Sequence, residues 1–210
     1  MKFKLFISLL LTVLLSHSAV AEIDEGIEYK RVSPAQATIT KNKIEVVELF
    51  WYGCPHCFHF EPHLNEWLAT KPDNVVFYRV PAIFNANWAL HARAFYTAKS
   101  LGLFDNGKTE FHDAMFNEIH KKKKHMHTKK SLQAFFTGFG ISAEDFNNTF
   151  ESFSVNTKVN RAESLSKRYQ LQGVPTLIVN GKYRTDGPMA GGRKGMIKVL
   201  NFLIKKESKK

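Results

Sequence analysis

The chain has 210 residues, 44% of them hydrophobic and 23% charged, a balance that builds a packed core and excludes a disordered chain. Its formal net charge of +11 is carried largely by lysines at 121–124, 129–130 and 205–210. Such runs are more often solvated faces than nucleic-acid sites. Two cysteines are too few for a disulfide framework, and a bond between Cys54 and Cys57 would constrain little of the unfolded chain.

The N-terminus sets the compartment. Lys2 and Lys4 precede an apolar run at 5–15, and Ala19-Val20-Ala21 follows as a small-residue cleavage site. This order predicts a secretory signal peptide over residues 1–21, cut after Ala21. A membrane anchor is the competing reading, but the apolar run falls short of the roughly 20 residues a span needs. Cleavage leaves 189 residues with a net charge of +9. That length suits one domain with a sizeable core, or one domain carrying an insertion. Export argues against a nucleic-acid partner and for a soluble protein.

Ile44–Phe50 reads as a buried strand, rich in β-branched and aromatic residues, and runs through Trp51-Tyr52-Gly53 into Cys54. From Pro55 the spacing of Phe58, Leu64, Trp67 and Leu68 predicts a helix ending near Lys71-Pro72. A second strand is expected at 75–80. Helices follow at 88–101, 109–120, 131–139 and 143–153, punctuated by Gly102, Asn106-Gly107 and Gly138. Trp88, Phe95 and Phe116 read as their core. The tail returns to α/β: a helix at 158–169, then Gly173-Val174-Pro175 opening the strand Thr176–Val179. Asn180-Gly181 between apolar runs signals a tight hairpin into 182–184, and a helix at 196–204 closes the chain. The fold class is α/β: β-α-β over 22–84, a helical insertion over 85–154, and α-β-β-α over 155–210.

The chemistry sits in Cys54-Pro55-His56-Cys57. Proline is favoured at the first helical position, which places Cys54 at the cap, facing unsatisfied backbone N–H groups and the positive end of the helix dipole. Both favour a thiolate, so Cys54 is the expected nucleophile. Cys57, three residues on, lies on the same face one turn deeper and can close or resolve a disulfide. A protonated His56, or its N–H, further favours the thiolate, which makes the disulfide a stronger oxidant. The competing reading of a lone Cys-x-x-Cys is a zinc half-site completed by His59 and His63. Ligand pairs of a closed finger are normally a dozen or more residues apart, so these histidines read as exposed helix positions. His120, His125 and His127 could bind metal, but a solvated helix end fits them better.

With Cys54-Pro55-His56-Cys57, Gly173-Val174-Pro175-Thr176 far downstream, and the flanking runs Glu48 to Gly53 and Val179 to Tyr183, the sequence resembles the DsbA family of dithiol oxidases over essentially the whole mature chain. The resemblance implies a thioredoxin-like fold interrupted by the helical insertion, and a periplasmic protein-disulfide oxidoreductase that donates a Cys54–Cys57 disulfide to newly exported proteins with free thiols. It needs no cofactor, acts as a monomer and is reoxidised by a DsbB-like membrane quinone reductase. By the same resemblance Pro175 is a cis proline facing the active pair, Val174 is the variable residue before it, and Glu48 is a buried carboxylate handling protons for Cys57. The lysine partner the family places on the next strand is not evident: Phe77 stands in that register with Arg79 nearby, which leaves a buried charge pair in doubt. A periplasmic reductase or isomerase of the same fold is the nearest rival, and a peptide- or zinc-binding module without turnover the more distant one.

Overall fold

A computed structural model describes residues 22–107 and 109–209; the expected signal peptide at 1–21 lies outside the described residues. Among these described residues seven α-helices and five strands run in the order β1 (Lys30–Arg31), β2 (Ile44–Phe50), α1 (Pro55–Thr70), β3 (Val75–Pro81), α2 (Ala86–Ser100), α3 (Glu110–His120), α4 (Lys129–Thr137), α5 (Ala143–Phe150), α6 (Phe153–Arg168), β4 (Thr176–Val179), β5 (Tyr183–Asp186) and α7 (Arg193–Glu207).

The sheet order is β1-β5-β4-β2-β3. Strand β2 pairs in parallel with β3 and antiparallel with β4, so it lies inside the sheet. All seven of its residues are buried, the pattern of a strand covered on both faces. Alternation sends Val46 to a core shared with Leu64, Trp67 and Leu200 of α1 and α7. It sends Val47 and Leu49 to the opposite core, with Ala92 and Val159 of α2 and α6. Phe50, at the end of β2, enters a third core with Phe95, Phe111, Phe116, Phe136 and Phe146 of the helical layer. Each such side chain, fully buried, contributes about 1.5–3 kcal/mol. The third core also contains Cys54 and Cys57, so the helical layer packs directly against the thiols.

The Asn180-Gly181 turn has positive φ at both residues (49° and 62°), as a type I′ turn requires, and the Lys182 N–H closes it on the Val179 carbonyl (3.0 Å) before Tyr183 pairs with Val179. Glycine is required at 181 because a Cβ there would meet the Gln36 carbonyl oxygen at 2.1 Å. Helix α6 begins at Phe153, earlier than the sequence spacing suggests, because Ser152 caps it by accepting from the Val155 N–H (3.2 Å). The expected boundary at 154/155 therefore falls inside this helix.

Candidate active site

Strand β2 delivers the chain into a sharp turn. Trp51 folds back over Gly53, where a Cβ would lie 2.3 Å from the indole ring. Trp51 then stacks on Trp88 of α2 at 4.4 Å and 8°. His120 at the end of α3 is half-buried, stacks on Phe58 and reaches the Tyr52 carbonyl with Nε2 (2.8 Å). It is thus a tie between the helical layer and the turn before Cys54, rather than a solvated helix end.

Cys54 occupies the N-cap of α1, with extended dihedrals (φ −88°, ψ 115°) and Pro55 following. Its carbonyl accepts from the Phe58 N–H (3.1 Å) and its N–H donates to the Trp51 carbonyl (3.0 Å). No side-chain oxygen caps this helix; a sulfur stands there instead. Cys54 is 8% exposed and Cys57 is fully buried, both as free thiols. The hydrogen bond with Cys57 outweighs burial and, with the backbone N–H groups of Cys57 and His56 and the His56 charge, lowers the Cys54 pKa to about 6. Burial, together with the nearby Cys54 and Glu48, pushes Cys57 well above its ordinary value. The pair is split into one acidic thiol and one that holds its proton.

Val174 and Pro175 close the site from the far end of the chain. The Val174–Pro175 peptide is cis, and the Cys54 thiol donates to the Val174 carbonyl at 3.4 Å. His56 is exposed at the first turn. His59 is exposed and His63 half-buried, and no cluster of three or more metal-ligating side chains occurs among the described residues.

Beneath the thiols the structure corrects the expected charge arrangement. Phe77 pairs in register with Val46, and Arg79 pairs with Glu48. Arg79 Nε donates to Glu48 (3.0 Å), and its Nη2 donates to Glu61 of α1 (2.8 Å). A buried charge pair is therefore present, with arginine in place of lysine and a second carboxylate on the other side. His112 Nε2 lies 3.2 Å from Glu61, and His112 Nδ1 lies 3.0 Å from the Tyr52 hydroxyl, extending the chain of polar groups into the helical layer. Burial and the Glu61 charge raise Glu48 to about 8 against the pull of Arg79. Burial also raises Glu61, but hydrogen bonds and charge from His112 and Arg79 outweigh it and hold that carboxyl below its usual range. The negative charge of the two carboxyls thus rests preferentially on Glu61, and Glu48 is the one pushed toward its neutral form. Glu48 Oε1 has no hydrogen-bond partner.

These values set a pH dependence. The folded pKa of Cys54 lies below its ordinary value of 9. The thiolate therefore stabilises the reduced protein fully above the unfolded value and loses that effect as pH falls through about 6. Ultraviolet thiolate absorbance of the reduced protein should titrate with a midpoint near 6, and His56→Ala should raise it by removing a favourable charge. A midpoint near 9 would mean that neither the cap nor His56 acts on the sulfur.

The comparisons with known proteins agree with this geometry. The profile of the DSBA-like thioredoxin domain family matches residues 45–202. The thiol:disulfide interchange protein DsbA of Pseudomonas aeruginosa is 39% identical over 207 residues, covering 95% of this chain and 96% of the relative. The protein of that name from Azotobacter vinelandii is 40% identical, covering 89% and 86%. The crystal structure of Pseudomonas aeruginosa DsbA superposes with a TM-score of 0.82 at 40% identity, over 88% of this chain and 94% of that one. The oxidoreductase DsbA from Xylella fastidiosa gives 0.80 at 30% identity, over 87% and 96%. A strand-to-helix turn carrying two unlike thiols against a cis proline, matched over nearly its whole length by these proteins, makes the chain a member of the DsbA family of thioredoxin-fold protein-disulfide oxidoreductases.

Proposed function

We propose that the protein donates the Cys54–Cys57 disulfide to thiols of newly exported proteins in the periplasm. In the first step a substrate thiolate attacks Cys54 Sγ, the Cys54–Cys57 bond breaks, and Cys57 leaves with the electron pair and takes up a proton. In the second, another substrate thiolate attacks the substrate sulfur of the mixed disulfide, and Cys54 leaves as a thiolate. Two electrons pass from substrate to protein, and a substrate disulfide is formed. The observation that carries this reading is Cys54 at the helix cap, where backbone N–H groups and His56 make it a good leaving group in the second step. Glu48, buried on β2 and pushed toward its neutral form, is the group we assign to proton handling for Cys57.

Reoxidation requires an acceptor for two electrons, which we assign to a DsbB-like membrane quinone reductase. Among the described residues no helix is long and apolar enough to cross a membrane. We assign the protein a monomeric state, in keeping with the family resemblance; the large apolar side chains left exposed among the described residues are Ile27, Ile39, Phe84 and Phe153. Equilibration in glutathione buffers, read by tryptophan fluorescence, should give a potential near the roughly −120 mV of DsbA itself. A value near the roughly −270 mV of thioredoxin would reverse the direction of electron flow and make the protein a reductase.

A further inference from the structure

Beside the cis proline lies a groove of about 880 Å³. His56, Val174 and Pro175 stand at its active-site end, and the loop at 187–192 with the first turn of α7 forms the other. Pro188, Met189 and Met196 give it apolar walls, as an extended peptide requires, but its charge is unbalanced. Lys30, Arg184, Arg193 and Lys194 line it against the single carboxylate of Asp186.

Three observations locate where an anion would sit. Lys30 and Arg184 are register partners on β1 and β5, and like charges directly opposite repel. Arg184 is only 8% exposed, yet its Nε has no hydrogen-bond partner, although a buried charged donor normally has one. Asp186 serves the turn instead, accepting from the Met189 N–H at 3.0 Å. The first turn of α7 has no acidic residue, and Gly192 offers no capping side chain, so the field of that helix also favours a negative charge.

We propose that this groove is a carboxylate-selective subsite. It holds the segment flanking the reacting cysteine of a substrate, with an Asp or Glu side chain of that segment paired with the Arg184 guanidinium beside Lys30 and the start of α7. A planar guanidinium with a free donor suits a carboxylate better than a neutral amide. The inference rests on thiol–disulfide exchange at Cys54 but not on its direction.

The test uses dithiol peptides of identical composition, with a glutamate pair either adjacent to the reacting cysteine or moved to the far end, so that general attraction to a basic protein is equal for both. Exchange with the oxidised protein should be about tenfold faster for the adjacent arrangement at low salt, as expected for a close charge pair. Arg184→Gln should bring the ratio within about twofold. Should that variant fold poorly, the double variant Lys30→Gln/Lys194→Gln, at two exposed positions, should cut the ratio at least about threefold. A ratio near one in the unaltered protein, or the full ratio in the variants, would overturn the subsite. The equilibrium position of the same mixtures reports electron direction, so a reductase would still give a rate ratio and the two failures are read separately.

Discussion

Cys54→Ser should reduce disulfide donation to the rate of uncatalysed exchange, a loss of at least about a thousandfold, because no other sulfur in the site is both reachable and acidic. Cys57 cannot substitute, being fully buried and holding its proton. The converse variant should behave differently. Cys57→Ser retains the acidic Cys54 but has no resolving thiol, so incubation with a substrate disulfide should accumulate a mixed species released by reductant. Mass analysis of the trapped species distinguishes the two outcomes. Full oxidase activity in Cys54→Ser would remove the nucleophile assignment altogether, and an absence of trapped species in Cys57→Ser would remove the resolving role.

The second large effect should come from Arg79→Met. That side chain separates two buried carboxyls, at 3.0 Å from Glu48 and 2.8 Å from Glu61, and is itself only 12% exposed. Removing it leaves the negative charge on Glu61 with His112 as its remaining partner, the situation that typically costs about 3–5 kcal/mol. For a chain of this size that corresponds to a fall of roughly 6–20 °C in the thermal midpoint. The pH dependence identifies the cause. Glu48 already has a folded pKa raised to about 8, so its contribution is fully present below the unfolded carboxyl value and is lost as pH rises through about 8. Without Arg79 both carboxyls should shift upward, and the oxidised variant should recover stability on acidification to about pH 5, relative to the unaltered protein. A destabilisation independent of pH would point to lost packing against Phe77, over whose ring Arg79 lies at 5.2 Å, rather than to unpaired charge.

The parts of this architecture that depend on neighbouring residues were legible in the sequence. Strand β2 announces itself by five apolar or β-branched positions around two glutamates, the hairpin by Asn180-Gly181, and the active helix by Pro55 following Cys54. The charge cluster was less legible because it depends on register. Counting along β3 from Phe77 instead of Arg79 moves every partner by two residues and hides the pairing with Glu48. Glu61 could have been found: it stands among Cys57, Phe60, Leu64 and Trp67 on the one buried face of α1, where an unpaired acid is costly. His112 carries the same signal beside Phe111, Met115 and Phe116 in α3. Strand β1 is two exposed residues long, and no periodicity can reveal so short an element. Arg184 and Lys30 meet only because β1 adds to the far edge of the sheet, across more than 150 residues of chain. The groove they line was therefore invisible until the sheet was assembled.

The contact between Ile83 and Ser166 has a consequence for how the helical layer can vary. The chain leaves the sheet after β3, passes through α2 to α5 and returns along α6, where Ser166 Oγ accepts from the Ile83 N–H at 3.1 Å. The two ends of an excursion spanning 83 positions are thus fastened at one point beside the sheet. Closing such a loop carries an entropy that grows only with the logarithm of its length, about 0.6 kcal/mol for each doubling. Lengthening or trimming the helices between those ends therefore hardly alters the chain entropy of the fold. Descendants of one ancestral sheet can exchange the cover above the thiols, and with it the surface offered to clients, while the turn bearing the sulfurs stays as it is.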